Sequence, residues 1–280
     1  MTNTMETSTY KSKEAVISLK GVDAGYGDTV ILSNVNLEIW RGEITALLGG
    51  SGSGKSTLLK TIIGLLPPIK GEVRLLGEDI YGMDDLTRAS FMKRIGMLFQ
   101  YGALFGSQSN LDNVALPLRE HTNLPEEVVR EMVRMKLELV GLKGLENRLP
   151  ADVSGGQRKR VALARAAILD PEIIFCDEPS AGLDPIVAAG LDDVLRRFQR
   201  LFGMSMVIIT HELESIKILA DRVVMLADGK IQAVGTVDDL SQSDNERVYD
   251  FFHRIAPHDD GEDGQGSVLE RVSGEWAREQ

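Results

Sequence analysis

Residues 49–58 read GGSGSGKSTL, four glycines and four hydroxyl side chains around a single lysine. The stretch follows the apolar run Ile44-Thr45-Ala46-Leu47-Leu48 and leads into Thr57-Leu58-Leu59-Lys60-Thr61-Ile62-Ile63, whose apolar spacing suits a packed helix. Glycine has no Cβ, so successive N–H groups can converge on one point and form a nest for an anion at the mouth of a helix. A flexible linker has a similar composition, but linkers seldom sit between a buried strand and a packed helix. A chain with this stretch must therefore place a strand, an anion loop and a helix in succession.

Gly49, Gly54, Lys55 and Ser56 satisfy G-x-x-x-x-G-K-[ST]. In this P-loop pattern backbone N–H groups cradle phosphates, the lysine neutralises them and the hydroxyl ligates Mg²⁺. The rest of the composition narrows the class. With 280 residues and 43% hydrophobic content, the chain can bury an α/β core as one domain with an inserted subdomain, or as two small domains. Its 31 Lys and Arg against 42 Asp and Glu leave a net charge of −11, which opposes a broad grip on nucleic acid, so no nucleic-acid partner is expected. The lone Cys176 lies in an apolar run and excludes an internal disulfide, which suits a reducing compartment. The opening MTNTMETSTYKSKE has no apolar core of a signal peptide, and no window approaches the ~20 apolar residues of a membrane span. Any membrane role is expected to be peripheral.

Periodicity divides the chain. Residues 1–14 are polar and expected to be disordered, and residues 15–20 and 30–39 read as strands around the turn Gly25-Tyr26-Gly27-Asp28. After a Pro67-Pro68 break comes a short strand at 72–76, and from about 84 to 155 the pattern becomes mostly helical. The clearest helix there starts at Pro125 and aligns Val129, Met132, Val133, Leu137 and Val140. Strand and helix then alternate through 172–175, 185–202 and 206–210, ending in a hairpin at 222–235 that turns at Asp228-Gly229.

A second motif, Ile173-Ile174-Phe175-Cys176-Asp177-Glu178, is an apolar strand ending in two carboxylates. The first is placed to hold Mg²⁺ and the second to polarise an attacking water, although alone the pair also reads as a solvated acidic turn. VSGGQRKR, residues 153–160, opens a helix with Ser154, Gly155 and Gly156 and is a second anion-ready N-terminus. Gln100 and His211 each follow an apolar strand, so both can face the ligand crevice at one end of a parallel sheet. Tyr26 can be a hairpin aromatic or a platform for a base.

Taken together these segments, over about residues 15–250, resemble the nucleotide-binding subunit of an ATP-binding-cassette (ABC) transporter. Tyr26 is similar to the family's adenine-stacking aromatic, and Gly49, Gly50, Ser51, Gly52, Ser53, Gly54, Lys55, Ser56 and Thr57 to its Walker A loop. Gln100 resembles the Q-loop glutamine, and Val153, Ser154, Gly155, Gly156 and Gln157 the signature. Asp177 and Glu178 resemble Walker B with its catalytic glutamate, Ala181 to Asp184 the D-loop, and His211 the switch histidine. The resemblance implies ATP and Mg²⁺ as cofactors, with Ser56, Gln100 and Asp177 toward the metal and Lys55, Gln100, Glu178 and His211 in catalysis. It also implies a P-loop ABC ATPase fold over 15–255, with a RecA-like core, an N-terminal antiparallel β subdomain and an inserted helical subdomain at about 84–155. Val153 stands where leucine is usual and Ala181-Gly182 where serine-alanine is commoner, which touches only the coupling between sites.

Because the chain carries one set of motifs, the resemblance implies a second ATPase copy, its signature helix closing head to tail over the P-loop of the first. FQYGALF at 99–105 with LDNVALPLREHT at 111–122 resembles the ATPase of Mla-type lipid transporters that work with MCE-domain proteins. That likeness implies an integral membrane permease received near Ala103-Leu104-Phe105, an MCE-domain substrate-binding protein, a small accessory regulatory protein and a place on the cytoplasmic face of the inner membrane. A soluble ABC ATPase acting on DNA or the ribosome, or the ATPase of an importer for another solute, is the alternative. The remaining feature is the tail. Residues 257–266, PHDDGEDGQG, read as a flexible linker, and Ser267-Val268-Leu269-Glu270 has capping-box form, with Val268, Leu269, Val272 and Trp276 on one helical face. Removing residues 257–280 is expected to weaken assembly while sparing nucleotide binding, and sedimentation of the truncated and full-length proteins with ATP will measure it.

Overall fold

The structure is a computed structural model that describes residues 14–255; the linker and docking helix expected at 256–280, like most of the polar N-terminus, lie outside the described residues. Two sheets organise it. The first is antiparallel, ordered β2-β1-β4, from β1 (Ala15–Tyr26), β2 (Thr29–Trp40) and β4 (Lys70–Leu75). The second has six strands in the order β5-β6-β7-β3-β8-β9, from β3 (Ile44–Leu48), β5 (Ile95–Leu98), β6 (Ile173–Asp177), β7 (Ser205–Ile209), β8 (Arg222–Ala227) and β9 (Lys230–Gly235). All its pairings are parallel except β8 with β9.

Alternation along the inner strands shows why both faces of the parallel sheet are covered. In β6, Ile173 and Phe175 enter one core while Ile174 and Cys176 enter another, and in β7 Val207 and Ile209 separate from Met206 and Ile208 in the same way. Where successive side chains enter two cores the strand must be apolar, as residues 173–176 and 206–209 are. One core joins the antiparallel sheet and α1 (Lys55–Ile62) to the parallel sheet. The other receives α3 (Asn110–His121), α4 (Glu126–Leu139), α5 (Gly155–Ala166) and α6 (Pro185–Phe202). Cys176 is fully buried, and desolvation pushes its thiol up to about 12, as suits a small core hydrophobe.

One segment differs from its sequence pattern. β1 does not stop before the turn but runs through Gly25 and Tyr26, since its pairing with β2 continues to Tyr26 opposite Thr29, leaving only Gly27-Asp28 as the connection. Within the mostly helical residues 84–155, the apolar run before Gln100 is a strand of the parallel sheet, as its pattern indicates. Between α2 (Asp85–Met92) and α3 the chain forms β5, which pairs with β6 and belongs to the parallel sheet. The apolar stripe of α4 is buried as its spacing requires at Val129, Val133 and Leu137. Among the described residues no helix is long and apolar enough to cross a membrane.

The β8–β9 turn joins the two sheets. Gly229 donates its N–H to the carbonyl of Ser53 at 3.3 Å, and its carbonyl accepts from the Ser33 N–H at 3.0 Å. A Cβ at this position would stand 2.0 Å from the carbonyl oxygen of Ile31, on a backbone with φ of +69°. Gly229→Ala is therefore expected to destabilise the fold by about 2 kcal/mol or more, read as a lower midpoint in chemical denaturation.

Candidate nucleotide-binding site

Register places the site. Leu47 of β3 lies opposite Ile209 of β7, and Ile209 lies opposite Asp177 of β6, so three parallel strands end in one row. Leu98 of β5 pairs with Cys176, one step behind. The ladder runs one residue further, with Glu178 N–H on the Ile209 carbonyl at 2.8 Å and Thr210 N–H on that of Leu47 at 3.4 Å. Residues 49–54, Gln100, Asp177, Glu178 and His211 consequently all leave the sheet at its C-terminal edge, where open α/β sheets form ligand crevices.

The loop turns tightly under β8. A Cβ on Gly49 would be 2.2 Å from the Leu226 carbonyl oxygen and 2.6 Å from Ser53 Oγ, so only glycine lets the backbone pass. Gly54 stands in the left-handed region at the N-cap of α1. The Lys55 ammonium folds back along the loop, donating to the carbonyls of Gly49 at 2.7 Å and Gly50 at 2.8 Å. Burial lowers its pKa, with the charges of Glu178 and Asp177 opposing the shift. Thr57 is buried, whereas Ser56 remains exposed on the first turn of α1. Tyr26, half-exposed at the end of β1, accepts a hydrogen bond from Lys60 of α1 at 3.3 Å, which sets its ring beside the same helix.

The acidic pair divides its work by environment. Burial raises the pKa of Asp177, the Glu178 charge adds to that rise, and Lys159 and Lys55 oppose it. Glu178 takes a left-handed backbone with φ of +45°, uncommon outside glycine. Its Oε1 lies 2.8 Å from His211 Nδ1, while Oε2 is buried without a hydrogen-bond partner. An orphaned carboxylate oxygen beside an imidazole is equipped to accept a proton or to orient water. The half-buried Gln100 is held through its carbonyl, which accepts from the Lys159 ammonium.

The second anion-ready loop is built but turned to its own helix. Ser154 caps α5, accepting from the Gln157 N–H at 3.3 Å, while Gln157 Oε1 accepts the Ser154 N–H at 2.9 Å. Gly156 packs so closely on α6 that a Cβ would be 2.3 Å from Val187 Cγ1, and Gly155 lies beside Leu183. Asp184 caps α6, accepting from Ile186 and Val187 N–H groups, each at 3.1 Å. Sequence patterns missed Lys159 and Asn113. The Asn113 amide is fully buried and clamps the loop before α3, accepting from Phe105 N–H and donating to the carbonyls of Phe105, Gln108 and Ser109. A lone amide in an amphipathic helix carries no signal of this in sequence.

A P-loop after β3, a carboxylate pair at the end of the parallel strand β6 and a histidine after β7, the strand between them, define the class as a P-loop ATPase. A sequence profile of the ABC transporter family matches residues 32–181, and the chain belongs to that family. It is an ATP-hydrolysing cassette. It is 44% identical over 237 residues, 85% of this chain and 90% of the relative, to the intermembrane phospholipid transport system ATP-binding protein MlaF of Haemophilus influenzae. It is 41% identical over 243 residues, 86% of this chain and 70% of the relative, to the probable ribonucleotide transport ATP-binding protein mkl of Mycobacterium leprae. Among solved structures, cbiO1 from Clostridium perfringens aligns with TM-score 0.75 and 30% identity over 80% of this chain and 89% of that one. A bacterial ABC transporter cassette solved as a dimer aligns with TM-score 0.72 and 33% identity over 79% and 98%.

The raised pKa of Asp177 has a sign that can be tested. An Asp with ordinary pKa 3.8 in the unfolded chain and a higher one in the fold holds its proton more tightly when folded, so stability falls as pH rises through the folded pKa. Asp177→Asn escapes that loss. Its melting temperature is expected to exceed that of the native protein by a few degrees at neutral pH, with the gap closing in calorimetry as pH falls below about 4.

Proposed function

We propose that this chain is the ATPase subunit of a transporter that moves phospholipid-like cargo between membranes. What carries the reading is the joining of Glu178 to His211 at 2.8 Å on the strand edge that also holds Lys55 and Asp177, in a chain 44% identical to a phospholipid-transport ATPase over 85% of its length. In this reading the nest at residues 49–54 and Lys55 hold the ATP phosphates, and Tyr26 stacks on the base. Glu178 orients the water, with His211 positioning its carboxylate. Gln100 reports the loop's position to the site. The donor set fits Mg²⁺: Ser56, Asp177 and Gln100 would hold it, where it would neutralise phosphate charge. Among the described residues no group of three or more His, Cys, Asp or Glu could hold a metal, so the ion depends on the nucleotide's own phosphates.

Partners follow the same reading. Two copies pair head to tail so that Ser154, Gly155, Gly156, Gln157 and Asp184 of one complete the site of the other, and ATP closes the pair. A cavity of about 610 Å³, lined by Met92, Met97, Phe99, Phe105, Leu116 and Pro117, suits an apolar helix of an integral permease. Ala103 and Phe105 line it, whereas Leu104 packs back on the helical core. An MCE-domain substrate-binding protein and a small accessory regulatory protein complete the assembly on the cytoplasmic face of the inner membrane. The relative named for ribonucleotide transport makes another cargo the second reading.

Lys55→Ala removes the cation that offsets phosphate charge and is expected to abolish tight ATP binding. Glu178→Gln keeps that cation and is expected to bind ATP yet lose about a hundredfold or more in turnover, trapping a closed dimer. Nucleotide binding with steady-state ATPase rates decides between them, and normal hydrolysis by Glu178→Gln sinks the assignment. Reconstitution of the complex with vesicles then separates lipid from nucleotide cargo.

A further inference from the structure

Lys159 lies in α5 with only 7% of its surface exposed. Burial lowers its pKa, the direction expected for an ammonium removed from water. An apolar side chain of that length would fill the same space without desolvating a charge, so packing does not account for a lysine. Its donors do. The ammonium donates to the carbonyl of Gln100 and, at 3.2 Å, to the carbonyl of Glu178, so one side chain of α5 grips the loops that follow β5 and β6.

Both gripped segments need holding. Glu178 sits in the left-handed region, a conformation that persists only when its surroundings over-determine it. Its N–H is fixed on the Ile209 carbonyl at 2.8 Å, its carboxylate on His211, and its carbonyl on Lys159. The Gln100 loop carries positive φ at both Gly102 and Ala103. There α5 adds Arg165, donating to the Gly102 carbonyl at 2.6 Å and the Ala103 carbonyl at 2.7 Å. The N-terminus of α5, capped by Ser154, lies little more than a turn before Lys159. A rigid helix thus connects the signature loop to Gln100 and Glu178 of the same chain.

We infer that Lys159 is a positioning residue for ATP hydrolysis, holding the backbones of Glu178 and Gln100 in their working conformations and referring both to the signature helix. The inference rests on the proposed role of Glu178 in orienting water. It requires that Lys159 act chiefly on turnover and little on nucleotide affinity, because its hydrogen bonds go to the carbonyls of Gln100 and Glu178 and none to residues 49–55, which are assigned to the phosphates. Lys159→Met, which keeps length and loses the donors, is expected to lower kcat roughly ten- to a hundredfold while leaving the Kd for ATP within about twofold. Lys159→Arg, which restores donors, is expected to recover a large part of that loss.

Turnover and ATP affinity of both variants, measured in the full-length protein beside Glu178→Gln, test it. Native kcat in Lys159→Met overturns the inference. So does a parallel loss of affinity and turnover in Lys159→Met and Lys159→Arg alike, since that marks a residue needed only for folding. If Glu178→Gln itself turns over normally, the role given to Glu178 fails first, and the inference with it.

Discussion

The parallel pairing of β3 with β7 and of β7 with β6 is the constraint on which the rest of the molecule depends, because it aligns Leu47, Ile209 and Asp177 in one row. Side chains alternate with a period of two, so a one-residue slip would send each apolar run into the wrong core and carry Glu178 away from His211. The two cores that separate Val207 and Ile209 from Met206 and Ile208 therefore fix the register. Fixing the register fixes the site.

Electrostatics at that edge are arranged against the protein's own comfort. Lys55 and Lys159 are both partly desolvated, with pKa values lowered by burial, while burial raises Asp177. Each group is offset by charges across the crevice but none is in a close ion pair that would satisfy it. Lys55 is held instead by the carbonyls of its own loop, a set of bonds that a phosphate can replace. Sites of this kind sacrifice stability for readiness to bind charge.

The surrounding structure transmits position. Gly229 links the Ser53 carbonyl to β2 of the antiparallel sheet, and α5 links the loop at Ser154 to Gln100 and Glu178. On the far side of Gln100, the buried Asn113 fixes the loop that leads to the apolar cavity at Phe105. A partner seated in that cavity would press on a segment held at both ends by side-chain bonds to main-chain carbonyls. The Lys159 ammonium ties that segment to the backbone of Glu178, since it donates to the carbonyls of both Gln100 and Glu178.

Much of this was written in local sequence. Residues 49–58 declare their chemistry because glycine spacing, one lysine and flanking periodicity are all local, and the same holds for the acidic end of β6 and the helix opening at Ser154. The α4 stripe and the Asp228-Gly229 hairpin were legible for the same reason. Pairing between distant segments was not. That β1 continues through Tyr26 depends on its partner β2, and that the strand before Gln100 pairs with β6 depends on a segment more than seventy residues away. Burial likewise decided Lys159, which in the run Arg158-Lys159-Arg160 looks like any solvated helix face. Sequence determines what a residue can bond; only the tertiary structure, by excluding water and bringing carbonyls of distant loops within reach, decided which bonds it makes.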